Sequence, residues 1–498
     1  MAMKVHALLI PFPLEGHING LLRLAHALAG HAQSAGLIIT FAYPARFHSL
    51  ALGRNKTLLD AALAFPNFRV EVIPDGLSPA ADTSPSVYEL MAAAAVFQSG
   101  VEALVDRQHL EQELDDVDDG VKLPQFAWIV SDSFAPWTQD LAYKAKIPRV
   151  EFWTSTAAVY AMGTHMPKLI SQGHLPLKHE KETHPWIVDA SLIHFIPGLP
   201  PFPITDLPHE FISSPDPDSP LFQFMLRAFS RFKEADSILV HSAYELESKV
   251  FDTLTALDYP IRAIGPLFSV QNDVQEELPA HKRHESLQWL DKQKPASVVY
   301  VALGTVSTIT FKELEALALG LEEAGHPFLW VLRTDALLEG ALSDGASADL
   351  IKRCADYGLG CIVPWAPQTE VLKHASIGTF FSHCGWNSTV ESLWEGVPLV
   401  ACPRAAEQRS NARWTVENWK VGVEVPRDEE DGSFTKDGVR AAIDCVMVGA
   451  KGESLKERAL ILKELLRATT QPGGTSHTNL VTFVEHLRKL PRSVKDSS

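Results

Sequence analysis

The chain is 498 residues long, with 46% hydrophobic and 21% charged residues, which excludes a collagen-like or wholly disordered protein. This length predicts about two to four domains, each large enough to bury a core of its own. The 44 basic and 61 acidic residues give a net charge of −17, so we do not expect nucleic acid as a partner.

The cysteines and the chain termini indicate a cytoplasmic protein. The five cysteines are odd in number and lack the close pairs of a disulfide or zinc framework, which favours a reducing compartment; they are Cys354, Cys361, Cys384, Cys402 and Cys445. The apolar run near the N-terminus stops at Pro11 and Pro13 and is too short for a signal peptide. No stretch approaches the roughly 18 apolar residues of a membrane span, so no stable membrane insertion is expected.

The first half of the chain alternates short apolar runs with stretches of helical periodicity. Strands are predicted at 5–10, 37–42, 128–131, 150–152, 238–240 and 264–267, with a helix at 18–28. This alternation is typical of parallel sheets covered by helices, an α/β fold. A Pro- and His-rich stretch between 171 and 211 is expected to run irregularly over one mouth of a cleft.

A polar segment without apolar periodicity, 269–283, separates this half from a second α/β unit. In the second unit the predicted strands are 297–305, 328–333, 361–364, 378–382 and 398–402, with a helix at 314–324. Ligands of open parallel sheets bind beyond the carboxyl ends of the strands, so the loops that follow these strands are the candidate sites.

Several catalytic motifs are absent from the sequence. It contains no G-x-x-x-x-G-K-[ST] phosphate loop, no G-x-S-x-G nucleophile elbow and no H-E-x-x-H metal motif. The loop after the first strand reads PFPLEGHING and not G-x-G-x-x-G. Phosphate-loop transferases, α/β-hydrolases, zinc proteases and NAD-dependent dehydrogenases are therefore disfavoured.

Residues 365–408 hold most of the candidate binding groups. A strand, the turn HCGWN and a helix from about Asn387 follow one another, so unpaired N–H groups at the helix start would attract phosphate beside His383, without a metal. Trp365 offers a flat face to a nucleobase, and Glu391 offers a carboxylate to a ribose diol. Taken singly, Asn387 or Ser388 could be a helix cap, Trp365 a core residue and Glu391 a surface carboxylate. The order in which these residues occur together is more specific than any one of them.

This order of WAPQ, HCGWNS and EQ resembles the 44-residue signature of the plant family 1 UDP-glycosyltransferases. The resemblance implies the GT-B fold, in which two Rossmann-like domains face each other across a cleft. We expect an N-terminal acceptor-binding domain at 1–267, a linker at 268–285 and a C-terminal domain for the UDP-sugar at 286–470. The last segment, 471–498, is expected to pack back toward the N-terminal domain.

The resemblance also implies roles for individual residues. It implies that Trp365 binds uracil and that Gln368 and Glu391 bind the ribose. The residues implied to bind the diphosphate are His383, Asn387 and Ser388, and those implied to bind the sugar are Trp386, Glu407 and Gln408. The segment VVYVALGTVS resembles a family turn that places Thr305 near the phosphates, and EFWTS places Thr154 near the donor sugar.

Two residues of the first half are implied to be catalytic. PFPLEGHING resembles the family motif that supplies the catalytic base, which here would be His17. VSDSFAPW resembles the motif that supplies the partner carboxylate of that base, which here would be Asp132. Imidazole has a pKa near working pH, and a carboxylate behind it fixes its tautomer and stabilises the imidazolium. The expected reaction is inverting O-glycosylation: an acceptor hydroxyl attacks the anomeric carbon and UDP leaves, with no metal or other cofactor.

The chain departs from the family pattern at a few positions. Glu15 replaces Gln and would raise the pKa of His17 if its carboxylate came close, although we expect it to point to solvent. Gly20 replaces Pro, and Glu407 replaces Asp but keeps the carboxylate. Cys402 and Arg404 stand where apolar or aromatic residues are usual. Arg404 is expected to pair structurally, for example with Glu407, or to recognise a carboxylate on a donor or acceptor.

Donor and acceptor are predicted at different levels of detail. The resemblance implies that Gln408 goes with UDP-glucose and that Trp386 argues against UDP-glucuronate. Arg404 leaves UDP-glucuronate, UDP-galactose, UDP-xylose and UDP-rhamnose open as donors. A small apolar acceptor, phenolic (flavonoid) or terpenoid, would suit a pocket lined by aromatic residues. The candidates for that lining are Phe12, Phe97, Phe134, Phe195 and Phe202.

Other activities remain open from the sequence. Transfer to carbon or nitrogen is an alternative to O-transfer. Two other classes are a GT-B-like UDP-sugar epimerase, which needs no acceptor, and a catalytically silent UDP-sugar-binding protein. The acceptor-type first half argues against the epimerase, and the presence of both His17 and Asp132 argues against the silent protein. A monomer is expected.

Overall fold

The structure is a computed structural model that describes most of the chain. The described residues are 4–31, 36–53, 56–77, 85–113, 123–177, 191–212, 216–268, 283–304, 309–333, 350, 358–428 and 431–489.

A seven-stranded parallel sheet forms the centre of the first half. Its strands are β1 (Val5–Ile10), β2 (Leu37–Pro44), β3 (Phe68–Ile73), β4 (Phe126–Asp132), β5 (Arg149–Trp153), β8 (Ser237–Val240) and β9 (Ile261–Ala263), and a separate antiparallel hairpin contains β6 (Leu192–Ile193) and β7 (Phe202–Pro203). The sheet order is β3-β2-β1-β4-β5-β8-β9. Because β4 lies between β1 and β5, the carboxyl ends of these three strands lie side by side.

Helices connect and cover these strands. They are α1 (Glu15–His31), α2 (Ala45–Gly53), α3 (Lys56–Leu63), α4 (Val87–Glu113), α5 (Thr138–Ala145), α6 (Ala157–Thr164), α7 (Met166–Ser171), α8 (His209–Ile212), α9 (Pro220–Ala228) and α10 (Tyr244–Ala256). Every residue of β1 and β2 is buried, as expected for strands covered on both faces.

A second parallel sheet, of six strands, forms the centre of the other half. Its strands are β10 (Val298–Ala302), β11 (Phe328–Val331), β12 (Gly360–Val363), β13 (Ile377–Ser382), β14 (Leu399–Ala401) and β15 (Gly422–Glu424). The order is β12-β11-β10-β13-β14-β15. The helices are α11 (Glu285–Leu290), α12 (Phe311–Ala324), α13 (Gln368–Lys373), α14 (Trp386–Glu395), α15 (Gln408–Arg413), α16 (Lys436–Met447), α17 (Gly449–Thr470) and α18 (Thr475–Leu487).

The last helix, α18, returns to the first domain. Asn479 Nδ2 donates to the carbonyl of Ala263 at 2.8 Å, and Ser476 Oγ donates to the carbonyl of Gly265 at 2.6 Å. The chain thus ends its helical part against the sheet in which it began. None of the helices that the structure describes is both long enough and apolar enough to cross a membrane.

The predicted fold class is confirmed: two Rossmann-like α/β domains face each other across a cleft. The sequence-based strand at 264–267 is misplaced, because the strand is Ile261–Ala263 and Pro266 has no N–H group to join a ladder. The stretch predicted to be irregular, 171–211, contains β6, β7 and the start of α8, and its residues 178–190 lie outside the described residues. Most of the predicted linker, 269–282, also lies outside them. The domain boundaries stay predictions.

Candidate active site

The predicted base and its carboxylate meet at the carboxyl edge of the first sheet. His17 lies in the first turn of α1, just after β1, and Asp132 is the last residue of β4. His17 Nδ1 lies 2.8 Å from Asp132 Oδ2, with 13% of the His17 side chain and 1% of the Asp132 side chain exposed. The other oxygen of Asp132 accepts the backbone N–H of Phe134 at 2.8 Å. Since the carboxylate only accepts, Nδ1 carries the proton and Nε2 keeps the lone pair that can accept another.

The surroundings of His17 keep it basic. Burial lowers the pKa of its imidazole, but the charge and hydrogen bond of Asp132, with a contribution from Glu407, raise that pKa above 6.5. Burial, with a contribution from the charge of Glu15, raises the pKa of Tyr43. Thr154 follows β5, and its Oγ1 lies 3.4 Å from His17 Nδ1.

An aromatic cluster surrounds the imidazole. The ring centroids of Phe12 and Phe134 lie 5.6 and 5.0 Å from that of His17. Phe224, on α9, lies 5.6 Å from Phe12 and 6.0 Å from Phe134. Of the phenylalanines predicted to line a pocket, Phe12 and Phe134 therefore lie beside His17. Phe97 is buried in a different hydrophobic cluster, whereas Phe202 is buried in the cluster against which Phe134 and Phe195 pack. Phe195 also contacts His174 and Lys168.

The second domain presents a helix start to the cleft. Helix α14 begins at Trp386 after the N-cap residue Gly385, whose φ and ψ are −59° and 143°. Among the residues that the structure describes, no side chain caps this helix, so its first N–H groups are available to an anion, and the Asn387 or Ser388 cap considered from the sequence is not formed. The preceding Cys384 has a φ of +63°, which turns the chain sharply from β13 into the helix.

His383 is packed between two glycines at this helix start. A Cβ atom added to Gly304, which follows β10, or to Gly385 would lie 2.5 Å from His383 Nε2. Burial lowers the pKa of His383 to about 4. The imidazole is thus neutral at pH 7 and suited to hydrogen bonding, and the positive potential of the site comes from the helix start. Thr305, predicted to lie near the phosphates, falls outside the described residues.

The residues predicted to bind ribose form one cluster. Gln368 Nε2 donates to Glu391 Oε2 at 2.7 Å and to Ser388 Oγ at 2.9 Å. The Gln368 carbonyl accepts the hydroxyl of Tyr300 at 3.3 Å. Trp365 precedes this group at the end of β12 and is 38% exposed, which leaves ring surface for a nucleobase.

Two neighbouring residues of α14 contact the first domain. Asn387 Nδ2 donates to the carbonyl of Gly16 at 3.0 Å, next to His17. The indole N–H of Trp386 donates to the carbonyl of His241 at 2.7 Å, and its side chain is buried. The structure therefore brings Asn387 to the cleft but turns the Trp386 side chain into the domain interface; the sugar-binding role of Trp386 stays a prediction.

The residues predicted to bind sugar lie at the start of α15. Glu407 Oε1 accepts the hydroxyl of Ser155 from the opposite domain at 3.4 Å. Gln408 Oε1 accepts the backbone N–H groups of Arg404 and Ala405 at 2.7 and 2.9 Å. A sugar would therefore meet the Nε2 group of Gln408, because its carbonyl is occupied by the loop.

Arg404 pairs with Glu313 and not with Glu407. Its two terminal nitrogens donate to the two carboxylate oxygens of Glu313, one of them at 2.8 Å, and both side chains are mostly buried. Glu313 is also the N3 residue of a capping box with Thr310 at the start of α12. Arg404 thus anchors the loop that Gln408 stabilises, which is the structural pairing expected for it.

Replacing Arg404 should destabilise the protein without changing the preferred donor. Arg404→Met leaves the buried Glu313 carboxylate without its cation, and we expect a loss of about 3–5 kcal/mol in the free energy of unfolding. Equilibrium unfolding in denaturant measures this loss, and Arg107→Met, which breaks an exposed ion pair, is the control with little change. A variant whose ratio of UDP-glucose to UDP-glucuronate turnover rises strongly would contradict this assignment, because Arg404 would then recognise the donor carboxylate.

Comparisons with known proteins identify the family of this chain. The family model "UDP-glucoronosyl and UDP-glucosyl transferase" matches residues 221–472, about half of the chain. The chain is 34% identical to 7-deoxyloganetin glucosyltransferase of Catharanthus roseus, with 98% of this chain and 97% of that one covered. The chain belongs to this family of UDP-glycosyltransferases. Its membership confirms the predicted resemblance and the predicted enzyme class.

Further relatives match this UDP-glycosyltransferase over nearly their whole length. It is 32% identical to (R)-mandelonitrile beta-glucosyltransferase of Prunus dulcis, with 98% of each chain covered. The structure of Os79 from O. sativa in complex with U2F and trichothecene matches with a TM-score of 0.75 and 28% identity, covering 97% of this chain and all of that one. The GT-B arrangement is thereby confirmed.

Three residues that sequence reasoning missed lie in or beside the cleft. Phe224 joins the aromatic cluster, and its position in an unremarkable apolar helix gave no signal. Burial, with the charge of Glu407, raises the pKa of Glu210 to about 7, and Glu407 is one of the predicted sugar ligands. Arg23 pairs with Glu391 across the domains. The position of Arg23 as a single cation within the apolar run LLRLAHALA of α1 is a sequence signal that indicates a buried, paired arginine.

Proposed function

We propose that this UDP-glycosyltransferase transfers glucose from UDP-glucose to a hydroxyl group of a small apolar acceptor, phenolic or terpenoid, with inversion. The observation that carries the proposal is the 2.8 Å contact between His17 and the buried Asp132, within an aromatic cluster and opposite the start of α14. The family membership favours glycosyl transfer over the epimerase and the silent binding protein.

His17 is the general base in this proposal. Its Nε2 accepts the acceptor proton as the hydroxyl oxygen forms a bond to the anomeric carbon, and the bond from that carbon to the UDP oxygen breaks. The Asp132 carboxylate stabilises the imidazolium that results. Attack from the side of His17, opposite a leaving group bound at α14, inverts the configuration of the anomeric carbon.

The start of α14 stabilises the leaving group. Negative charge grows on the diphosphate as UDP departs, and fixed N–H groups at a helix start offset such charge without reorganising. The neutral His383 adds a hydrogen bond. This chemistry assigns no step to a metal, so we expect transfer to continue at an unchanged rate after exhaustive treatment with EDTA; loss of activity that Mg²⁺ or Mn²⁺ restores would contradict it.

Glucose is favoured by two observations. The relatives are named as glucosyltransferases of 7-deoxyloganetin and of (R)-mandelonitrile. Arg404, the residue that could have read a donor carboxylate, is engaged with Glu313. UDP-glucuronate, UDP-galactose, UDP-xylose and UDP-rhamnose remain the alternative donors.

The test is a donor panel with a set of phenolic and terpenoid alcohols. We expect UDP release to be fastest with UDP-glucose, and proton NMR of the product to show a β-glucoside made from the α-linked donor. Faster release with any of the other four donors would overturn the choice of glucose. An α-linked product would overturn the inverting mechanism.

A further inference from the structure

One ion pair joins the two domains at the predicted ribose site. Arg23, on α1 of the first domain, donates from NH2 to Glu391 Oε1 on α14 at 2.7 Å. Only 9% of the Arg23 side chain and 8% of the Glu391 side chain are exposed. Burial of this degree separates the pair from the exposed ion pairs of the surface, which contribute little.

The hydrogen bonding of Arg23 is directed at the other domain. Within the described part of the chain, its Nε and NH1 groups have no hydrogen-bond partner, so the bond to Glu391 is the one that its guanidinium makes there. The guanidinium also lies over the ring of Phe268, 4.2 Å from the centroid. An arginine that served only its own domain would bond to groups of that domain.

Glu391 is held from both sides. Arg23 bonds to Oε1, and Gln368 bonds to Oε2 from within the second domain. Each carboxylate oxygen has a second acceptor direction, so both can still accept a ribose hydroxyl. Without Arg23, one side of this carboxylate would lose both its neutralising charge and the contact that fixes its orientation.

We propose that Arg23 is a positioning residue for the donor nucleotide, which holds Glu391 toward the ribose diol from the opposite domain. The inference rests on the proposed function, because it takes Glu391 as the ribose ligand. Arg23 itself acts through Glu391.

The test compares two nucleotides that differ only in the ribose diol. Calorimetry measures the Kd of UDP and of 2′,3′-dideoxy-UDP for the wild type and for Arg23→Met. We expect the variant to bind UDP about tenfold more weakly and the dideoxy nucleotide as the wild type does. If Arg23→Met weakened the binding of both nucleotides equally, the cause would be a structural defect that does not depend on the diol, and the inference would be overturned. Unchanged binding of both nucleotides would overturn it as well.

Two further variants keep the test decisive if the buried carboxylate destabilises Arg23→Met. Arg23→Lys keeps a charge and should bind UDP more tightly than Arg23→Met. The double variant Arg23→Met/Glu391→Gln removes both charges and should bind UDP as Glu391→Gln does; an additional loss would show that Arg23 acts independently of Glu391. Arg107→Met, at an exposed pair of the same domain, is the matched control.

The failure of this inference can be told apart from failure of the proposed function. If the wild type transfers glucose but UDP and 2′,3′-dideoxy-UDP respond equally to Arg23→Met, the role of Arg23 is wrong and the transfer stands. If the wild type binds both nucleotides equally, Glu391 does not read the diol and the inference also falls. Absence of glucose transfer in the wild type overturns the proposed function itself.

Discussion

His17→Ala should reduce kcat for transfer to a hydroxyl by about 10³-fold while leaving the Kd of UDP-glucose almost unchanged. The imidazole contacts Asp132, Phe12 and Phe134 on the acceptor side of the cleft, whereas the predicted nucleotide site lies in the other domain. Removing the ring therefore removes the proton acceptor and little of the donor site. Steady-state kinetics and calorimetry on the same preparation separate the two effects.

The matched control for this variant is His31→Ala. His31 is the last residue of the same helix, is exposed, and bonds only to the backbone of Ala27 among the hydrogen bonds found for its side chain. We expect wild-type kinetics for it. Turnover by His17→Ala at a rate near that of the wild type would remove His17 from the mechanism.

The pH profile should report the environment of His17. The base must be neutral, and Asp132 and Glu407 raise its pKa above 6.5 against the opposing effect of burial. We therefore expect kcat/KM to fall as the pH is lowered, with a midpoint above 6.5. Asp132→Asn removes the largest raising influence, so its midpoint should move to lower pH and its maximal rate should fall; an unchanged midpoint would contradict the pairing.

Gly385→Ala should reduce kcat/KM for UDP-glucose by about 100-fold, comparable to the loss of a donor aimed at developing negative charge. The backbone of Gly385 has a conformation that any residue adopts, so the substitution causes no backbone strain. Its new Cβ would lie 2.5 Å from His383 Nε2 and would displace the imidazole from the start of α14. Kinetics at varied UDP-glucose concentration measure the loss.

Two other glycines separate crowding from strain. Gly304→Ala crowds His383 in the same way and also forces an alanine into a backbone conformation with a φ of +84°. We therefore expect this variant to lose both donor binding and stability. Gly325→Ala has a φ of +68° but nothing within 4 Å of the added Cβ, so it should lose about 1 kcal/mol of stability with an unchanged KM for UDP-glucose. A KM for Gly385→Ala equal to that of the wild type would mean that His383 does not help to bind the diphosphate.

Much of the fold could be predicted because strands buried on both faces are nearly continuous apolar runs. Strand β1 was predicted with its observed bounds, and β13 and β14 within one residue. The segment 264–267 misled the prediction because it is apolar but follows the strand, and Gly265 there packs against the backbone of His241. Apolar content alone does not distinguish a strand from a buried connection.

The candidate site could be predicted within each domain but not between the domains. His17 follows one strand of the first sheet and Asp132 ends another, while His383 and the start of α14 follow β13 of the second sheet, so these positions were identifiable. The pair of Arg23 and Glu391 is separated by 368 positions. Its formation depends on how the domains are placed, which no local pattern encodes.

The most direct test of the account is a structure of the His17→Ala variant with UDP-glucose bound. We predict the uracil on the exposed ring of Trp365, the diphosphate oxygens within hydrogen-bond distance of the first N–H groups of α14, and the anomeric carbon facing position 17. A diphosphate bound away from the start of α14, or an anomeric carbon turned away from position 17, would contradict the account.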